Sequence, residues 1–385
     1  MRLHLLGIPH TQCTDQFTHC AFTNKVRTFP KMFASASAVR PPITYYGVGT
    51  PPPDVDSMSH ILDTDLQQQL LGHRHENAQR FVGDDANWDS PLYRAFNEAL
   101  GHRLIDTVSS GDLILLPFGP AHAPALNILR AARPNGQWLP VEMGIGYPNP
   151  YVAARVYESH AWMHFIAGKQ GHEGSNYHTV IPPWYLPEEW ATGHRRATTP
   201  TLAFVGRQTE QKGAHVVTAL AKRFPDVRFE CAGQGDYLPL HSLPNVEFHG
   251  AITGAERAVV YARAWGVLCP SEFIEPGCQV AMEAMVMGRV VFAPPRGCFP
   301  ERIDHRVHGF LCRSWSDWVR HVTGVVNGSI WSGASEAVLT ARAYELHHPH
   351  SIAPQYLRFF RHAETLLGDG WYHESPESTS SPRST

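Results

Sequence analysis

The sequence predicts an α/β fold: two domains, each a parallel sheet covered by helices, facing one another across a cleft. Three observations predict it. Short apolar runs alternate with segments of helical periodicity in both halves of the chain. A proline-rich break, IPPWYLPEEWATGHRRATTP at residues 181–200, separates the two series. Glycines and charged side chains directly follow several strands, where the loops of a parallel sheet hold ligands.

The elements follow in order. Residues 3–8 read as a buried first strand. Residues 21–37 carry Phe22, Val26, Phe29 and Phe33 at helical spacing, and 43–48 form a second strand. The stretch after Pro51, Pro52 and Pro53 reads as a long irregular loop, functional rather than filler in a compact domain. Pro91 suits the first turn of a helix over 92–108. A strand at 112–117, a helix at 121–132 and a strand at 138–142 complete the first series. The second runs strand 202–205, helix 213–224, strands 227–232 and 246–248, helix 255–264, strand 266–269, helix 279–287 and strand 290–293. Helical segments follow at 334–346 and 353–367, separated by HHPHS. The predicted organisation is a first domain over 1–184, a linker over 185–199, a second domain over 200–350 and a last helix over 351–368. A disordered tail is expected over 369–385, which is polar and proline-bearing.

Composition narrows the function. The 385 residues include 32 basic and 35 acidic side chains, a net charge of -3. No global positive field draws the chain toward nucleic acid. The 24 histidines turn the net charge positive in mildly acidic solution. The seven cysteines form no CxxC pair, which predicts isolated thiols, no zinc site and a reducing, cytoplasmic location. The apolar run in MRLHLLGIPH is too short for a signal peptide or a membrane span.

Two groups of residues carry chemistry. In LAFVGRQTEQKG, Gly206 permits a tight exit from a strand, Arg207 and Lys212 follow, and Gly213 opens a helix. Cations beside a helix N-terminus suit a diphosphate. Solvated charges beside glycine turns are the competing reading. Neither GxxxxGK[ST] nor GxGxxG is present, and AGQGDY, with Gly233 and Gly235, reads as a turn bordering the ligand. In SEFIEPGCQVAMEAMVMGRVV, Glu275 sits on a loop before Pro276, Gly277 and Cys278, and Glu283 lies inside the following helix. On one helix that spacing is about 12 Å, enough for the two ends of an extended ligand. Ordinary surface carboxylates are the alternative, but Ala281, Met282, Ala284 and Met285 give Glu283 an apolar setting. A carboxylate there requires a buried partner or a ligand.

These residues resemble the large retaining glycosyltransferase family four, typified by bacterial sucrose, mannosyl and glucosyl transferases. The resemblance covers residues 200–367. It rests on Gly206-Arg207, Lys212-Gly213, Ala232-Gly233 with Gly235, Asn245-Val246, Phe248 with Gly250, the pair Glu275 and Glu283, and Gly288 before the strand 290–292. Where many members have Phe-Gly after the first glutamate, this chain has Pro276-Gly277-Cys278. The resemblance implies a GT-B fold, two Rossmann-like domains across a cleft with the last helix crossing back to the first. It implies a nucleotide-sugar donor, UDP-glucose, GDP-mannose or another, held by the second domain, with no cofactor and no metal. Arg207 and Lys212 would hold the diphosphate, Glu283 the ribose hydroxyls and Glu275 the transferred sugar, with Gly206, Gly233, Pro276, Gly277 and Cys278 around the donor. Retention would come from front-face attack within a tight ion pair.

The first half resembles the family weakly. Gly7 and His10 stand where the family has a glycine-rich opening, and His122 in PFGPAH matches a recurring active-site histidine by position. Glu142 and Glu158 are further cleft candidates, Glu142 with Gly7 and His10 on the acceptor side; an ordinary buried salt-bridge partner is the alternative reading of either carboxylate. Trp138, Trp162 and Trp184 read as packing. The acceptor classes left open are a glycan, a lipid-linked saccharide, a small metabolite and a modified DNA base. Clustering of Arg40, Arg155, Arg195, Arg196 and Arg207 around the cleft would favour DNA. An exposed basic helix over 21–38, with Lys25, Arg27 and Lys31, would favour peripheral membrane contact. A nucleotide-sugar epimerase, a phosphorylase and an inactive glycan- or partner-binding protein are the competing functions.

Overall fold

The computed structural model describes residues 1–72, 88–330 and 334–368. The first sheet contains β1 (Leu3–Leu6), β2 (Ile43–Val48), β3 (Ser57–Leu62), β4 (Leu113–Leu116), β5 (Leu139–Ile145), β6 (Ala154–Tyr157) and β7 (His178–Val180). Its order is β3-β2-β1-β4-β5-β6-β7, parallel throughout. The second sheet holds β8 (Thr201–Val205), β9 (Arg228–Ala232), β10 (Val246–Phe248), β11 (Gly266–Leu268), β12 (Val290–Ala293) and β13 (Gly309–Leu311). Its order is β10-β9-β8-β11-β12-β13, again parallel. Both sheets reverse strand order once, between β1 and β4 and between β8 and β11. Ligands of open α/β sheets bind in the crevice at such a switch point.

The central strands are fully buried because both faces are covered by helices, and β4 and β12 are continuous apolar runs while β1 is interrupted only by His4. On the first sheet these include α1 (Ala21–Ser35), α2 (Thr64–Leu71), α3 (Pro91–Thr107), α4 (Ala123–Ala132) and α5 (His160–Gln170). On the second they are α6 (Ala214–Arg223), α7 (Leu238–His241), α8 (Gly254–Arg263), α9 (Gln279–Val286), α10 (Phe299–Arg302), α11 (Trp315–Val326) and α12 (Ala334–His347). The last helix, α13 (Pro349–Gly368), returns to the first domain. Tyr356 meets Phe29 of α1 edge-on at 5.2 Å and Trp184 at 5.9 Å, and Phe360 lies 6.4 Å from Phe33. Full burial of such side chains is worth about 1.5–3 kcal/mol each. This anchors the end of the chain to the first domain.

Several elements differ from expectation. β3 and α2 lie in the stretch expected to be an irregular loop. β3 is an edge strand, half-exposed and rich in polar residues, so it leaves no apolar run to read. No element is predicted where β6, α5 and β7, or α10, β13 and α11, are found. Most of the strands and turns among these are too short to show a period. Helices α12 and α13 are nearly continuous, since Pro349 starts the second rather than breaking the first. The expected tail over 369–385 lies outside the described residues.

The two domains touch directly. The Glu301 carboxylate accepts from the backbone N–H groups of His160 (2.9 Å) and Ala161 (2.7 Å), in the first turn of α5. An anion there caps the positive end of the helix dipole. Helix α1 is not an exposed basic helix. Lys25 and Arg27 are buried, Arg27 pairs with Glu189 (2.6 Å) and Lys31 with Glu188 (3.0 Å). Segment 21–38 therefore offers no basic face to a membrane. No described helix is long and apolar enough to cross one.

Candidate functional site

A cavity of about 140 Å³ opens between the domains at the carboxyl ends of β8 and β9. Gly206 leaves β8 with φ 141° and Gly233 leaves β9 with φ 136°, values that L side chains rarely adopt. A Cβ on Gly233 would stand 1.8 Å from the Gly206 carbonyl oxygen. The glycines thus let two strand exits approach closely, and Arg207 lines the cavity beside them.

The opposite wall is α9, which presents Glu283. This carboxylate is 3% exposed. Tyr261 donates its hydroxyl to it at 2.8 Å and Arg257 Nη2 lies 3.3 Å away. The buried partner required by its apolar setting is therefore present. Arg257 and Tyr261 stand four residues apart on α8, on one helix face. Arg257 also donates to the Thr18 carbonyl of the first domain at 3.5 Å, and Thr18 and His19 complete the wall. Arg257, Tyr261, Thr18 and His19 were not expected from the sequence. The i,i+4 spacing in ERAVVY was the legible signal for the first two.

Lys212 and Glu275 do not line this cavity. They form an ion pair, Nζ to Oε1 at 2.7 Å, and the Ser271 hydroxyl bonds the same oxygen. Lys212 also sits over the Phe273 ring, 4.6 Å from its centroid. Gly213 has φ 83°, and a Cβ there would meet the Pro270 carbonyl at 2.3 Å, so the Lys212 turn packs directly on the loop after β11. The Glu275 carbonyl accepts from Cys298 N–H at 3.0 Å. Cys278 takes a left-handed conformation, φ 39°, at the start of α9. Of Arg207, Lys212, Glu275 and Glu283, the cavity is lined by Arg207 and Glu283.

The first-domain candidates are placed deeper than expected. Gly7 ends β1 against Tyr45 and Tyr46. A Cβ there would meet the Tyr45 hydroxyl at 2.6 Å, so close packing rather than ligand approach requires glycine. His10 Nδ1 pairs with the Tyr93 hydroxyl at 2.7 Å, and burial lowers its pKa to about 4. His122 is fully buried, with neither ring nitrogen hydrogen-bonded among the described residues, and burial lowers its pKa to about 3. Burial raises the Glu142 pKa to about 8, against the opposing pull of Arg155 and the Tyr151 N–H, which donates to it at 3.0 Å. None of the four lines the cavity. Trp138, Trp162 and Trp184 are buried in the cores, as expected for packing. Of the five arginines, only Arg207 lines the cavity. Arg40 pairs with Asp56, Arg155 is buried against Val152 and Gln170, and Arg196 stacks on Trp265. The five named arginines do not gather around the cavity.

Buried His10 and His122, with half-buried His178, carry a pH signature. His10, His122 and His178 have folded pKa values of about 4, 3 and 4, below the usual 6.5. Below pH 6.5 the unfolded chain binds protons that the folded chain refuses. Their contribution is therefore complete above 6.5 and is lost as pH falls toward 4, by up to about 1.4 kcal/mol per unit for each. Glu142 acts oppositely: its contribution is complete below 4.5 and is lost as pH rises through 8. Three histidines outweigh it, so Tm should fall between pH 6.5 and 5, and His122→Leu should flatten that slope. A calorimetric Tm that stays level in both proteins would contradict this.

Among the described residues no group of three His, Cys, Asp or Glu side chains gathers as a metal site, and the seven cysteines are free thiols. Residues 199–327 match the sequence model of the glycosyl transferases group 1 family. No curated protein matches the chain. Among solved structures the chain is similar to the sucrose-phosphate synthase of Thermosynechococcus elongatus, with TM-score 0.67 and 15% identity over 94% of this chain and 98% of that one. It is similar to AviGT4, a glycosyltransferase involved in avilamycin A biosynthesis, with TM-score 0.61 and 18% identity over 95% and 98%. It is also similar to Anabaena HepE in complex with UDP-glucose, with TM-score 0.62 and 14% identity over 96% and 100%. At these identities the likeness is one of fold: two Rossmann-like domains with the last helix packed back, the GT-B architecture.

Proposed function

We propose that this chain is a retaining glycosyltransferase, moving a hexose-type sugar from a nucleoside-diphosphate donor to a hydroxyl acceptor. One observation carries the reading. Arg207 and Glu283 line a single cavity at the switch point of the second sheet, together with Thr18 and His19 of the first domain. Arg207 suits a diphosphate, whose oxygens a guanidinium bonds in pairs. Glu283, already held by Tyr261 and Arg257, accepts from ribose hydroxyls. Glu275, on the adjoining loop, is assigned to the transferred sugar. Lys212 turns from Glu275 toward the diphosphate once a donor is bound.

When the sugar–phosphate bond breaks, negative charge grows on the leaving diphosphate and positive charge on the sugar. Arg207 and Lys212 stabilise the first and Glu275 the second. Arg207 and Glu275 are in place beforehand and Lys212 reaches its position on donor binding, so little reorganisation accompanies the bond-breaking step itself. Retention follows if the acceptor hydroxyl attacks from the face the diphosphate leaves. UDP-glucose, held by a protein of this architecture, is the first donor to test.

The test is a panel of UDP- and GDP-sugars incubated with the purified chain and water, phosphate or a sugar acceptor. The expected result is release of free sugar or transfer product from one donor, with the anomeric configuration retained by proton NMR. A changed sugar still attached to its nucleotide would instead identify an epimerase, and a sugar phosphate a phosphorylase. No turnover and no calorimetric binding of any nucleoside diphosphate would overturn the reading.

A further inference from the structure

The first domain sends a buried carboxylate to the loop that carries Glu275. Glu158 follows β6, and its Oε1 pairs with Lys25 Nζ at 3.0 Å. The two side chains are 10% and 5% exposed. Lys25 also donates to the Gly144 carbonyl. The other oxygen of Glu158 crosses the seam between the domains: a Cβ on Gly277 would stand 1.9 Å from Oε2. The same seam brings Pro276 within 3.9 Å of where a Cβ on Gly146 would stand. Glu275 thus lies two residues from a glycine whose missing side chain makes room for a carboxylate of the opposite domain. A buried ion pair is weak evidence for stability, because desolvation offsets most of its attraction. Its placement against the loop assigned to the sugar asks for another role.

We propose that Glu158 is a specificity-determining residue of the first domain that accepts a hydrogen bond from a hydroxyl of the transferred sugar. This rests on the glycosyltransferase reading and adds a contact to it. Lys25 is the positioning residue, holding one oxygen so that the other faces the donor loop. A carboxylate at that point rejects an anionic substituent by repulsion and by desolvation without a partner. The transferred sugar is therefore a neutral hexose at this position, rather than a uronic acid. Gly277 is required because any side chain there would displace the carboxylate. This also accounts for the glycine at position 277, between Glu275 and α9.

The experiment is a cycle between enzyme and substrate. Wild type and Glu158→Gln are assayed with UDP-glucose, or GDP-mannose if the panel selects it, and with the four monodeoxy forms of that sugar. Wild type is expected to lose about 10- to 100-fold in kcat/KM with one deoxy donor, because a site built for a hydroxyl is left unpaired. Glu158→Gln is expected to lose a similar factor with the full sugar and little more with that deoxy donor. Its affinity for plain UDP or GDP should be unchanged. If Glu158→Gln fails to fold, Lys25→Met with Glu158→Gln replaces the pair by neutral side chains of similar shape, and the same cycle is run on it. Equal losses with every donor mean that Glu158 acts only on structure, and they overturn the proposal. So does a loss confined to acceptor affinity. If wild type turns over no nucleotide sugar, the functional reading itself falls. Activity in wild type with an additive cycle removes only the role of Glu158.

Discussion

Replacing Glu275 with alanine is expected to slow sugar transfer about 10²- to 10³-fold while leaving plain UDP or GDP affinity within about threefold. The asymmetry follows from where its atoms lie. The carboxylate is 4–5% exposed and bonded to Lys212 and Ser271. The loop beneath it is fixed by the backbone, through the Cys298 N–H and the close approach of Gly297, whose Cβ would stand 2.6 Å from the Glu275 nitrogen. Truncating the side chain therefore leaves the loop in place. The cavity proposed for the nucleotide end is lined by other residues, so the loss is expected in the step in which the sugar carries charge. Steady-state kinetics paired with calorimetry checks this. An equal loss of plain nucleotide binding would contradict the assignment of Glu275 to the sugar end.

Replacing Lys212 with alanine is expected to weaken donor binding about 10- to 100-fold and to slow turnover, since a charge-assisted bond to a phosphate oxygen is worth about 1.5–3 kcal/mol. Part of the effect is indirect. Without Lys212, Glu275 keeps its buried position but loses the cation 2.7 Å away. Residues sharing an ion pair are not additive. The double variant Lys212→Ala with Glu275→Ala should therefore be less impaired than the product of the single losses. Arg207→Ala should weaken donor binding additively with Glu275→Ala, because no hydrogen bond or ion pair joins the two side chains. Unchanged donor affinity and rate in Lys212→Ala would remove that residue from the site.

Much of the second domain was legible. Its strands are short apolar runs between glycine turns, and β10 and β12 fall at the residues expected. For β12 the reason is burial on both faces, which leaves no polar interruption, whereas β10 is an exposed edge strand set off by the turns around it. Edge strand β3 was missed for the complementary reason: one side is open and the sequence is mixed. Within the site, Arg207, Gly206, Gly233 and Glu283 were found because each has a local cause, a strand exit or a charge in an apolar helix. Arg257 and Tyr261 carry only their i,i+4 spacing on α8, which names no partner. They matter because α8 packs across from α9 and sets its Glu283 partners 26 and 22 residues away in sequence. His122 shows the opposite error. Its place after β4 suggested the cleft, but the short turn carrying it folds into the interior, where the ring stands 6.2 Å from Phe96.

By itself the sequence determined that there are two parallel sheets, that cations follow a strand of the second, and that an acidic pair flanks the start of a helix. Those features are local, set by the period of apolar residues and by glycines at positions of positive φ. Only the tertiary structure decided which charges meet. It joined Lys212 to Glu275, surrounded Glu283 with Arg257 and Tyr261, and brought Glu158 across the seam to Gly277. A charge in a low-dielectric interior is stable only beside its complement, and that complement comes from another element, at a distance in sequence that no local pattern encodes.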